Sequence, residues 1–85
     1  MSGATRTVSA VDLCDYLGTK DVKVILRRLG LSFEDVREWK RWQNRIARGL
    51  ANGFFSLLIA EDVADRLGTH PCLIWGFSYS DAVLL

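Results

Sequence analysis

Eighty-five residues, 49% of them hydrophobic and 11% aromatic, suffice for one buried core but not for two. The chain therefore reads as a single folded domain over residues 1–85, neither disordered nor divided. Eleven basic against ten acidic side chains leave a net charge of +1, which is unpromising for a polyanionic partner unless the charge is unevenly placed. No apolar run approaches the roughly 18 residues of a membrane span, and the opening MSGATRTVSA lacks the apolar centre of a signal peptide, so a cytoplasmic setting without membrane contact is expected.

A single proline and few β-branched runs favour helices, and five are expected. The first covers residues 10–17, with Ser9 and Asp12 as a capping pair and Gly18 as its stop. Cys14 lies within it as a small, buried apolar side chain. Thr19 can cap a second helix, residues 20–29, in which Val22, Ile25, Leu26 and Leu29 recur at the spacing of one apolar face. Gly30 follows where a helix needs a residue tolerant of the left-handed conformation. Ser32 with Asp35 resembles a capping box for a third helix that starts at Phe33 and runs as far as Leu50, since nothing breaks it before Gly49. Val36, Trp39, Trp42 and Ile46 form its apolar stripe, and Ala51-Asn52-Gly53 is a turn signal. A fourth helix, residues 57–67, carries Glu61, Asp62 and Asp65 outward and ends at Gly68. The fifth starts at Pro71 and reaches Trp75. In the tail, residues 77–85, the alternation of Phe77, Tyr79, Val83 and Leu85 with smaller or polar residues is strand-like, as a frayed end or as an arm toward a second copy.

Residues 20–42 thus outline two helices joined by about three to four residues with a glycine, the unit that places a second helix in a DNA major groove. A plain corner in a helical bundle has the same outline. Charge placement favours the first reading. Residues 20–48 hold Lys20, Lys23, Arg27, Arg28, Arg37, Lys40, Arg41, Arg45 and Arg48 against Asp21, Glu34, Asp35 and Glu38, a balance of +5, whereas residues 49–85 stand at −3 and residues 1–19 at −1. At about 100° per residue, Arg37, Arg41, Arg45 and Arg48 fall within roughly 80° of one another, away from Trp39, Trp42 and Ile46. Such a row of guanidinium groups suits guanine edges or phosphates. Glu34 and Glu38 count against it, because they can neutralise these arginines or repel phosphate, unless Glu38 accepts from a cytosine amino group. Trp39, Trp42 and Trp75 are expected in the core with their indole N–H groups on local acceptors, rather than as a stacking platform for single strands.

Other chemistry has little to work with. Cys14 and Cys72 are too few for a disulfide framework, and one histidine, His70, with two cysteines falls short of the four ligands of a structural zinc. No metal, cofactor or small-molecule ligand is expected. With no Ser/His/Asp constellation and no Gly-rich phosphate loop, an enzyme is not expected either.

Residues 63–75, VADRLGTHPCLIW, resemble the closing segment of small phage regulators of the lambda-repressor-like helix-turn-helix superfamily, such as the Ner-type regulators of Mu-like phages and small helix-turn-helix proteins of actinobacterial phages. The shared pattern is a helix ending in Leu67-Gly68, a polar turn Thr69-His70-Pro71, and a last turn ending Ile74-Trp75-Gly76. Upstream, Leu29-Gly30-Leu31-Ser32 and Trp39 match the helix-turn-helix of those families, so the resemblance covers residues 20–76. It implies an all-α bundle of about five helices and a sequence-specific, double-stranded DNA-binding transcriptional repressor working on two-fold sites, hence as a homodimer. Carried over by position, the recognition helix starts at Phe33, with Ser32, Glu34, Arg37, Glu38 and Arg41 toward bases or phosphates and Lys20 and Lys23 toward the backbone. Lys40, Arg45 and Arg48 add phosphate attraction. The chain departs from the pattern at Leu26, where those families have a small residue, and in the length of the stretch Arg45 to Ser56. Two alternatives keep the helices but put them to other use. One is an excisionase-like factor that bends DNA, and the other is a protein-interaction module that has lost DNA binding.

Overall fold

Two short strands, which no pattern in the sequence announces, bring the two halves of the chain together. In the computed structural model, which describes residues 6–84, the order is β1 (Thr7–Ser9), α1 (Ala10–Leu17), α2 (Val22–Arg28), α3 (Val36–Asn52), β2 (Phe54–Ser56), α4 (Leu57–Leu67), α5 (Pro71–Trp75) and α6 (Phe77–Leu84). The first five residues and Leu85 lie outside the described part. The all-helical expectation of about five helices is thereby corrected to a mostly helical fold with six helices and one small sheet among the described residues.

β1 and β2 pair antiparallel, with Val8 opposite Phe55, and both side chains are buried. Each strand ends in a serine that turns it into a helix. Ser9 Oγ accepts from the Val11 N–H at 3.2 Å and Ser56 Oγ from the Ile59 N–H at 3.3 Å, so the last residue of each strand caps the helix that follows. The single core gathers Leu13, Leu17, Ile25, Leu26, Ile46, Val63 and the three tryptophans around Phe55. Trp75 donates its indole N–H to the Ser9 carbonyl at 2.8 Å, whereas the buried indole N–H of Trp42 has no acceptor among the described residues. The expectation of a local acceptor for each indole therefore fails at Trp42.

Between the strands, α2 starts at Val22 rather than at residue 20, because Asp21 and not Thr19 caps it, accepting from the Lys23 N–H at 2.9 Å. Thr19 accepts instead from the Asp21 N–H at 3.0 Å and orders the approach. The helix ends at Arg28, one residue short of the expected Leu29, and Gly30 (φ 82°) closes it as expected, with Gly30 N–H bonding the Arg27 carbonyl and Leu31 N–H the Leu26 carbonyl. This paired closure buries Leu26 and Leu31 together.

The next helix begins later than expected. Ser32 Oγ accepts from Glu34 N–H at 3.1 Å, while Asp35 accepts from Glu38 N–H at 3.3 Å and is itself the N-cap of α3. Two short side-chain acceptors stabilise two successive turns, where the sequence suggests one reciprocal capping box. Ser32, Phe33 and Glu34 consequently belong to a connector of seven residues, 29–35, longer than the three or four of a helix-turn-helix. At its other end α3 passes through Gly49 and the predicted turn to Asn52, and Gly53 closes it.

The tail is a helix, not a strand. α6 covers Phe77–Leu84, with Tyr79 packed against the core and Ala82 buried one turn later. Tyr79 donates to Glu61 Oε2 at 2.9 Å, which pins α6 to α4. Alternation over so few residues could not distinguish this from a strand. Phe77 and Leu84, 87% and 84% exposed, face outward. No helix among the described residues is long and apolar enough to cross a membrane.

Candidate nucleic-acid interface

The cations singled out in the sequence lie on α3 and on the approach to α2, but they are not equally available. Lys20 is exposed just before α2 and Lys23 in its first turn, while Arg37, Lys40, Arg41 and Arg48 are exposed along α3. One nitrogen of Arg41 lies 2.8 Å from both carboxylate oxygens of Glu38, a pairing within the helix. Pairs this exposed are worth about 0–1 kcal/mol, so Glu38 engages Arg41 weakly enough for another anion to displace it. Arg45 is half-buried and turned the other way, 5.0 Å over the Trp42 ring and 3.9 Å from Asp62 on α4. Arg66 covers the same ring at 5.1 Å. Arg45 thus joins α3 to α4 and leaves the row of four arginines predicted from the helical wheel. Lys20, Lys23, Arg37, Lys40 and Arg48 form no ion pair among the described residues, and neither does Glu34 in the connector. Ser32 is occupied as a turn acceptor.

Sequence reasoning missed the hollow beside these cations. Lys23, Phe33, Val36, Trp39, Lys40 and Gln43 line a cavity of about 250 Å³ between α2, the connector and α3. Val36, Trp39, Lys40 and Gln43 follow the i, i+3, i+4, i+7 spacing, so one flank of α3 forms its wall. Phe33 lies with its ring tilted against Trp39, ring centroids 4.9 Å apart, yet is 63% exposed, and Val36 is 54% exposed. The apolar stripe assigned to α3 therefore includes one residue, Val36, that the core does not cover.

The remaining reactive groups are occupied in structural roles. His70 Nδ1 accepts from the Cys72 N–H at 3.1 Å, so the close spacing of these two residues serves the N-terminus of α5. Burial pushes the Cys14 thiol up, against the opposing pull of Lys20 and with a further push from Asp15, which keeps it protonated. The hydrogen bond to Glu61, with burial, does the same for the Tyr79 phenol.

Gly68, Thr69 and His70, three residues in all, separate α4 from α5, so the tight helix–turn–helix spacing is met there and not between α2 and α3. Ala60, Val63 and Ala64 of α4 are fully buried, as close packing requires, but Glu61, Asp62 and Asp65 are exposed along the same helix. The compact helix pair is therefore the acidic one. The chain matches no family model, no curated protein and no solved structure, so the functional reading rests on its own residues.

Proposed function

We propose that the protein binds double-stranded DNA through the surface made by α2, the 29–35 connector and the first half of α3, as a transcriptional regulator of the phage-repressor type. The observation that carries this reading is a set of exposed cations without ion pairs among the described residues: Lys23 and Lys40, which line one hollow between α2 and α3, with Lys20 just before α2 and Arg37 in the first turn of α3. Unpaired cations release condensed counterions when they meet phosphates, and this supplies affinity independent of sequence. On this reading α3 is the groove helix, with Arg37 and Arg41 on its flank toward phosphates. The acidic α4–α5 pair serves as its support, because its carboxylates would repel the backbone. A two-fold site requires two copies, and Phe77 and Leu84 are the exposed apolar surface we assign to that contact.

Fluorescence anisotropy of a mixed-sequence duplex, titrated at low and moderate salt, tests the reading. Affinity is expected to fall steeply with salt, and Arg37→Ala with Lys40→Ala should reduce the logarithmic salt slope by about 0.9 for each phosphate left without its cation. Glu38→Gln should act oppositely, since it removes a repelling charge and releases Arg41. A gain of up to about fivefold is expected, the equivalent of an exposed ion pair. Absence of binding at low salt would overturn the reading in favour of a protein-interaction module.

A further inference from the structure

The cavity beside α3 has a composition that phosphate attraction alone does not require. Three kinds of side chain line it: the apolar Phe33, Val36 and Trp39, the amide Gln43, and the cationic Lys23 and Lys40. Phe33 and Val36 are more than half exposed, which leaves apolar area uncovered within the basic surface. Phe33 is not loose, because its ring rests on Trp39, itself almost fully buried and fixed in the core.

In the major groove an A·T pair presents a matching set. Adenine offers an acceptor and a donor that a glutamine carboxamide can engage together, and thymine offers a methyl group that prefers apolar contact. A G·C pair offers no methyl group, and its cytosine edge presents a donor in that region. The phosphates flanking either pair call for cations, which Lys23 and Lys40 supply from the two helices that border the hollow. Ala47, one turn beyond Gln43 on α3, is exposed and small, so it leaves the approach open.

Resting on the DNA-binding reading above, we infer that this cavity selects A·T pairs: Gln43 engages adenine, Phe33 and Val36 receive the thymine methyl, and Lys23 and Lys40 hold the adjoining phosphates. The protein accordingly prefers A·T-rich duplex, and part of that preference resides in the thymine methyl group itself.

Removing that methyl group chemically, without altering base pairing, tests the assignment. Three duplexes of equal length serve as probes: alternating A·T, the same duplex with uracil in place of thymine, and alternating G·C. The wild-type protein should bind the thymine duplex most tightly. It should lose about fourfold in affinity for each contacted methyl on passing to uracil, because a buried methyl-sized group contributes roughly that factor. The salt slope should be the same on both, since the phosphates are engaged identically. Phe33→Ala combined with Val36→Ala should bring the thymine and uracil affinities together, and Gln43→Ala should narrow the gap between A·T and G·C duplexes. Circular dichroism establishes that each variant is folded, and the comparison of duplexes on the wild-type protein needs no variant. Equal wild-type affinity for thymine and uracil, or a difference that survives in full when Phe33 and Val36 are both alanine, would overturn the inference while leaving DNA binding intact. Failure to bind any of the three duplexes at low salt would remove the DNA-binding reading and this assignment with it.

Discussion

Replacing Trp75 by alanine is expected to destabilise the protein by about 3–5 kcal/mol, the range for a large aromatic removed from a packed core. The side chain is 4% exposed, and its indole N–H is the hydrogen bond that ties α5 to the junction of β1 and α1. Domains of this size hold about 5–15 kcal/mol in total, so the loss consumes much of the margin. Since about 1 kcal/mol shifts the midpoint by roughly 4–8 °C in a chain of this length, thermal unfolding should come on the order of 20 °C earlier. Phenylalanine separates the hydrogen bond from the packing. Trp75→Phe keeps most of the apolar contact but leaves the Ser9 carbonyl without its donor. Trp42→Phe removes an N–H that has no acceptor to lose, and so relieves a desolvation cost of about 1–3 kcal/mol. A phenyl ring holds Arg45 and Arg66 less well than indole, at about 0.5–1 kcal/mol for an exposed cation–π contact, which narrows the difference without reversing it. Trp75→Phe should therefore be the more destabilising of the two by denaturant titration, and the opposite order would show that the Ser9 hydrogen bond contributes nothing.

The contrast between the two tryptophans marks the limit of what is legible in the sequence. Periodicity places all three indoles inside, and the capping residues Ser9, Gly18, Gly30, Gly68 and Pro71 locate the ends of elements, because both signals act within a few residues of chain. It does not reveal β1 and β2. Three-residue strands carry no readable alternation, and their pairing joins positions 7–9 to 54–56, a contact set by tertiary packing. The same limit affects the site. Arg37, Arg41 and Arg48 are exposed as the helical wheel requires, but the wheel cannot see the Trp42 ring or the Asp62 carboxylate of α4, beside which Arg45 lies. The hollow depends on where α3 starts. With the helix begun at Phe33, that side chain would be one more helical apolar residue. With Asp35 as the cap, it becomes an exposed ring beside Lys23.

In the sequence Gly49 is the first residue at which α3 could break, and the structure gives it a different purpose. It lies in the interior of a continuous helix and is buried directly against the Phe55 ring, which is 1% exposed on β2. A Cβ built at this position would overlap three atoms of that ring. The helix tolerates glycine here, at roughly 1 kcal/mol relative to alanine, because only a bare Cα lets the strand approach so closely. Gly49→Ala recovers that propensity but forces Phe55 to move while Val8 across the sheet holds its backbone. Overpacking of this kind costs about 1–3 kcal/mol, and more when the obstructing group is rigid. We therefore expect net destabilisation, on the order of 2 kcal/mol, despite the better helix former. Phe55→Leu opens the space, so the double variant should be more stable than the sum of the single effects by at least about 0.5 kcal/mol, the lower end of couplings between residues that touch. Additive behaviour would mean that the ring and the helix are not in the conflict described. The strain should remain in the second half of α3, where Gly49 and Phe55 border Arg48 and Asn52. Phe33, Lys40 and Gln43 line the cavity at the opposite end of the helix. On the proposed reading, folded Gly49→Ala should accordingly keep the preference for thymine over uracil even as it melts earlier, which separates the residues that hold α3 in place from those to which we assign base contact.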